Sequence, residues 1–130
     1  MSFDQETLVD LASRYTDAWN SKVPENVASF HTLKSGITIN RGEPSLGHEG
    51  LIAMAAGFHA DVPDLTLTND GIRSAGNHVV FLWSFTGHHA VTGNPLSVSG
   101  WEEWELDDDM KITYSLGWFD SEDYDRQVGQ

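Results

Sequence analysis

The sequence predicts an α+β domain in which early helices pack on late antiparallel strands that curl around an interior pocket. Three observations carry this expectation. Apolar residues recur at three- and four-residue spacing from Leu8 to Trp19. A second stretch, Leu51 to Phe58, repeats that helical period. From Leu65 onward the pattern changes to strand-like runs separated by turn residues.

The elements follow in order. The first helix is expected near Asp4 to Ser21, with Leu8, Leu11, Ala12, Tyr15, Ala18 and Trp19 on its apolar stripe and a capping box of Ser2 with Gln5. A short helix over Pro24 to His31 begins on a proline and buries Val27 and Phe30. Ile37 and Ile39 alternate with Thr38 and Asn40, a short strand, and Gly42, Pro44 and Gly47 then form a loop. A third helix covers His48 to Ala60 and stops before Pro63. Four strands are expected at Leu65 to Arg73, Val79 to His89, Leu96 to Leu106 and Lys111 to Phe119, the last two joined by the acidic turn Asp107-Asp108-Asp109. A final helix covers Ser121 to Gln127. The order is α-α-β-α-β-β-β-β-α, read as one domain over residues 1–130.

Composition excludes several functions. The chain has no cysteine, so disulfides, thiolate catalysis and cysteine-held metals are out. Seven Lys and Arg stand against 20 Asp and Glu, a formal charge of −13. Such a chain repels phosphate backbones, and no basic cluster offsets this, so neither nucleic acid nor an anionic membrane surface is an expected partner. No apolar run approaches the roughly 20 residues that span a bilayer. With no leader-like segment at the N-terminus, a cytoplasmic location is expected. No P-loop, dinucleotide fingerprint or nucleophile elbow occurs, and no cofactor is expected. The histidines do not make a metal site by spacing: His88 and His89 face opposite sides of a strand, and His48 and His59 lie roughly 16 Å apart along one helix.

Local strings resemble those of a known family. Gly76-Asn77-His78-Val79-Val80-Phe81-Leu82-Trp83-Ser84-Phe85-Thr86-Gly87-His88-His89 is similar to the GDRVVVRWTWTGTH string of SnoaL-like polyketide cyclases, a branch of the nuclear-transport-factor-2-like superfamily. Lys111-Ile112 resembles that branch's DGKI, Arg126-Gln127-Val128-Gly129 its closing RQLG, and Ala18-Trp19-Asn20 the aromatic-Asn end of its first helix. The resemblance spans nearly the whole chain. It implies a cystatin-like fold: a cone-shaped, curved, mostly antiparallel sheet packed against N-terminal helices, with a pocket between them, commonly in a homodimer. It also implies a general acid/base aspartate just before a tryptophan near the end of the last strand. Counting back from Arg126 puts Gly117 there, beside Trp118. The family's partner histidine falls at Glu102. Glycine cannot move a proton, which argues against aldol cyclisation by that mechanism. The superfamily's epoxide hydrolases resemble this chain less, because its last three strands carry no arginine.

The candidate site residues follow from strand parity and chemistry. Glu102 shares a face with Trp104 and Leu106, whereas Glu103 and Glu105 point away. A carboxyl group in an apolar pocket has a raised pKa and suits proton transfer near neutrality. His89, the histidine of the GTH-like string, and Asp120, at the end of the last strand, are the other acid/base candidates; Asp120 is equally suited to cap the final helix. His31 and His59, near helix ends, read as packing residues. Tyr15, Trp19, Asn40, Trp83, Phe85, Trp104 and Trp118 are candidates to shape the pocket. The expectation is a protein that binds a small hydrophobic or aromatic molecule. As an enzyme it would be a cofactor-independent isomerase or a polyketide-cyclase-like lyase or dehydratase. The alternative is a non-catalytic ligand-binding or dimeric interaction module that lost the cyclase aspartate.

Overall fold

A computed structural model describes residues 3–129. Helix α1 (Gln5–Asn20) is capped by Asp4, whose side chain accepts the Thr7 N–H at 2.8 Å. The cap expected from Ser2 falls outside the described residues. The predicted stripe, Leu8 through Trp19, is the buried face. Helix α2 (Pro24–Ala28) is shorter than predicted. Its continuation is pulled toward the sheet: Thr32 N–H donates to Ile112 at 2.9 Å, and Ile112 N–H donates to Phe30 at 2.9 Å. His31 thereby becomes a lone parallel bridge and not a helical residue.

Strand β1 (Gly36–Ile39) is followed by an unpredicted strand, β2 (Ser45–Leu46), which pairs antiparallel with it. Two residues carry no readable alternation, so only the pairing reveals β2. Helix α3 (Gly47–Asp61) then crosses to the long strands β3 (Thr66–Ala75), β4 (His78–His88), β5 (Pro95–Leu106) and β6 (Ile112–Phe119). Helix α4 (Ser121–Val128) ends on Gly129 in the left-handed region, φ +85°.

The six strands form one sheet in the order β2-β1-β6-β5-β4-β3. β1 joins β6 in parallel, and the other pairs are antiparallel. The sheet bends at β3, where a bulge lies between Asn69 and Gly71 and Gly71 has φ +143°. Helix α1 is fixed to the concave side by Asn20. Its amide donates to the Leu67 carbonyl at 2.9 Å and accepts the Leu67 N–H at 2.7 Å, imitating a strand partner. The core lies between α1 and the inner face of the sheet, and its largest fully buried side chains are Trp104, Tyr15 and Phe81.

Candidate functional site

The alternation of β5 decides the site. Trp101, Glu103 and Glu105 turn outward, and Glu102, Trp104 and Leu106 turn in. The register places Glu102 between Phe81 of β4 and Gly117 of β6. Glu102 is only 7% exposed. Its Oε1 accepts two hydrogen bonds, from the Tyr15 hydroxyl at 2.8 Å and the Trp104 indole N–H at 2.9 Å. Tyr15 is held by rings on three sides, with centroids 4.9 Å from Trp104, 5.4 Å from Phe30 and 5.5 Å from Phe81. Among the described residues nothing bonds Oε2, which stays accessible. The carboxyl is thus anchored by one oxygen and presents the other.

Burial pushes the Glu102 carboxyl pKa upward, because the charged form loses water; the Trp104 and Tyr15 donors pull it back only in part. The Tyr15 phenol is raised well above its usual value, first by burial and then by the Glu102 charge, so Tyr15 remains a donor. With both donors on Oε1, a proton on this carboxyl sits on Oε2.

Glu102 opens on a cavity of about 50 Å³. Gly117 lies across from it, and a Cβ there would sit 3.3 Å from Ile39 and 3.5 Å from Ile37, the two apolar residues of β1 that close that side. Trp83 and Phe85 of β4 stack along one wall, 6.0 Å between centroids. Gly100 makes room for Trp83, since a Cβ there would lie 2.7 Å from the indole ring and 2.2 Å from the Trp118 carbonyl. Trp19 of α1, Phe58 and Met54 of α3, and Phe119 of β6 complete the aromatic lining, with Leu65 and Leu67 beneath. Trp118 borders the cavity from β6, but its ring stacks on Trp101 of the outer face, 6.1 Å between centroids. Met54 and Phe58 also line an outer hollow of about 250 Å³ against Ala53, Gly57 and Asp61, so these two side chains divide the cavity from the surface of α3.

The predicted site residues separate into three groups. Glu102, Trp19, Trp83, Phe85 and Trp118 line the cavity. Tyr15 and Trp104 stand behind Glu102 and reach it by hydrogen bonds. His89, Asp120 and Asn40 lie elsewhere. His89 has passed the end of β4, and its Nδ1 accepts the Val91 N–H at 3.3 Å in a turn. Asp120 caps α4, accepting the Asp123 N–H at 3.1 Å. The amide oxygen of Asn40 accepts the Phe119 N–H at 3.0 Å, tying β1 to β6. Each of the three is engaged by backbone donors, local for His89 and Asp120 and across the sheet for Asn40, and does not line the cavity. Phe58, Met54, Ile37, Ile39 and Phe119 were not singled out from the sequence, although the parity of β1 and the apolar side of α3 point to the first four.

The other histidines tie the fold together. His48 and His59 of α3 donate to the carbonyls of His31 and Trp19 at 2.9 and 3.1 Å. His31 is buried with Nδ1 2.8 Å from the Ser35 hydroxyl, and burial, helped by His48, lowers its pKa to about 4. Among the described residues no three His, Asp or Glu side chains gather in a metal-holding arrangement.

The family model of the SnoaL-like domain matches residues 12–115. The chain belongs to the SnoaL-like domain family. Its fold is that of solved relatives at low identity. An uncharacterised protein of ketosteroid isomerase-like fold from Catenulispora acidiphila, in complex with trimethylamine, superposes with a TM-score of 0.84 at 17% identity, over 92% of each chain. A provisionally named SnoaL-like polyketide cyclase from Jannaschia sp. CCS1 gives 0.85 at 17% identity, over 98% of this chain and 95% of that one. TerC, co-crystallised with polyporic acid, gives 0.79 at 15% identity, over 94% and 98%. No match is found among curated proteins. Among the described residues no helix of this SnoaL-like protein is long and apolar enough to cross a membrane.

Proposed function

We propose that this SnoaL-like protein binds a small hydrophobic molecule in the cavity beside Glu102, and that Glu102 is, among the described residues, the group placed to exchange a proton with it. The observation that carries this is the carboxyl itself: buried, held at Oε1 by Tyr15 and Trp104, and free at Oε2 toward an apolar space. A buried carboxylic acid of raised pKa is suited to give or take a proton near neutral pH without a cofactor. Two fold relatives hold small molecules, trimethylamine in one and polyporic acid in the other, which supports a ligand-binding reading. A ligand as large as an aromatic ring needs more than 50 Å³, and rotation of Met54 and Phe58 toward the outer hollow would supply it.

The reaction class we favour is enolisation of a small ketone, the first half of an isomerisation. The test is proton exchange in heavy water. Protein-dependent deuteration next to the carbonyl of small cyclic ketones, abolished in Glu102→Gln, is the expected result. Exchange that persists in the variant would remove Glu102 from the chemistry.

A specific observation favours a second reading, a binding module without catalysis. With Gly117 across the cavity, Glu102 faces no carboxylate or imidazole among the described residues. Saturable ligand binding with no exchange on any ketone would establish that reading. In either case we propose a homodimer formed through the outer face of the sheet, where Val80, Leu82, Leu116 and Trp118 are half-buried and Trp101 is 40% exposed. Light scattering at micromolar concentration should give twice the chain mass; a monomer would refute it.

A further inference from the structure

We propose that the cavity takes a small organic ammonium ion, a protonated tertiary amine or a quaternary ammonium, with the Glu102 carboxylate as its counter-ion. The proposal deepens the ligand-binding reading above and rests on it.

The wall chemistry carries the inference. Five aromatic rings, those of Trp19, Phe58, Trp83, Phe85 and Phe119, surround one carboxyl group. The rings brace one another, with centroids 6.1 Å apart for Trp19 and Phe58, 6.2 Å for Phe58 and Phe119, and 6.0 Å for Trp83 and Phe85. The indole N–H of Trp83 is buried and has no hydrogen-bond partner among the described residues. A ligand meets mainly carbon and Glu102 Oε2.

Three ligand classes respond differently to that lining. An anion meets the carboxyl and no cationic side chain, since among the described residues none lines the cavity. A neutral acceptor meets at most the Oε2 proton. An alkylammonium ion meets ring electrons and a carboxylate, and a cation–π contact strengthens where water is excluded. It also supplies the opposite charge that burial otherwise denies Glu102. Two cations already adjoin the wall from outside it. Arg41 lies over the Trp118 ring at 5.6 Å, and Lys22 donates to the Leu65 carbonyl at 2.6 Å.

Size and charge agree. At roughly 10–15 Å³ for each water-sized group, about 50 Å³ holds a ligand of about four such groups. A trimethylammonium ion has that size. The −13 charge of the chain raises the local concentration of cations. An amine entering as the free base would take the proton from Oε2, leaving an ammonium–carboxylate pair. A quaternary ion would send that proton to solvent.

The experiment is a titration of the full chain with trimethylammonium, tetramethylammonium and tert-butanol, a neutral molecule of similar shape. Calorimetry and the tryptophan N–H resonances report binding. Trimethylammonium should bind saturably, shifting the Trp19 and Trp83 signals, at least tenfold more tightly than tert-butanol. Glu102→Gln should lower that preference at least tenfold while its melting curve shows a folded protein. Phe85→Leu, which removes one ring and no charge, should lower it about threefold. tert-Butanol binding as tightly as the cations, or a preference unchanged in Glu102→Gln, would overturn the proposal. Neutral molecules shifting the indole signals while no cation does would sink the ammonium assignment and leave the ligand-binding reading standing. No shift with either class would sink both.

Discussion

Glu102 and Glu103 are neighbours on β5 and live in opposite chemistries. Glu102 is buried on the concave side, bonded by Tyr15 and Trp104, with its ionisation opposed by burial. Glu103 faces outward, where its Oε1 lies 3.2 Å from His78 Nε2 and its Oε2 accepts the Trp101 N–H at 3.3 Å. Glu105 joins it at 2.5 Å from His78 Nδ1. One face holds a carboxyl that is costly to charge, and the other holds carboxylates that charge a histidine. The pKa of His78 is raised, first by Glu105 and then by Glu103, against a small burial penalty. The difference comes from the two-residue period of a strand: a step of one residue moves a side chain from core to solvent.

The largest expected effect that would break this contrast is that of Glu102→Gln on stability. A carboxyl whose pKa is raised on folding stabilises the native state fully below its unfolded value of 4.5 and loses that contribution as pH rises through the folded value. The variant should therefore gain on the native protein by about 1.4 kcal/mol per pH unit above ~pH 4.5, up to the folded pKa. Urea unfolding at pH 4, 6 and 8 checks this; parallel curves for the two proteins would contradict it. Next in size is Tyr15→Phe, which removes one of the two donors on Oε1. The loss should be about 1–3 kcal/mol, and the Glu102 carboxyl signal followed by carbon NMR should titrate at still higher pH. The smallest effect belongs to the outer face. Glu105→Gln should cost under ~1 kcal/mol, because water screens a half-exposed pair. It should lower the His78 pKa toward 6.5, read from its ring protons. The sign is opposite to that of a buried neutral histidine: the His78 contribution is present below pH 6.5 and fades as pH rises through its folded pKa.

His31 supplies that buried case. With its pKa near 4, it stays neutral in the folded chain and takes up a proton in the unfolded one as pH falls below 6.5. Stability should fall between pH 6.5 and 4, by a total on the order of 3 kcal/mol. His31→Asn should flatten that part of the acid-unfolding curve.

Much of the architecture was legible because it is periodic. The stripe from Leu8 to Trp19, the alternation of β4 and β5 and the turns between them are local patterns, and each element formed where its period stood. Parity alone put Glu102 with Trp104 and Leu106, and the burial of all three follows it. What was not legible was set by contacts between distant segments. β2 exists because Ser45 and Leu46 meet Gly36 and Ile37. α2 stops early because residues 30–32 bond with Ile112. Nothing in the local sequence of Asn40 announces that the backbone N–H of Phe119, 79 positions away, engages its side chain.

The sequence by itself determined which residues of a strand would share a face, the absence of thiol chemistry, and the net acidic charge, because these depend on residue identity and on periods of two and 3.6. The tertiary structure alone decided that Tyr15, 87 positions away along the chain, would hold one oxygen of Glu102 and leave the other to an aromatic cavity. That outcome depends on how α1 seats across the curved sheet, and long-range packing leaves no trace in any short window of residues.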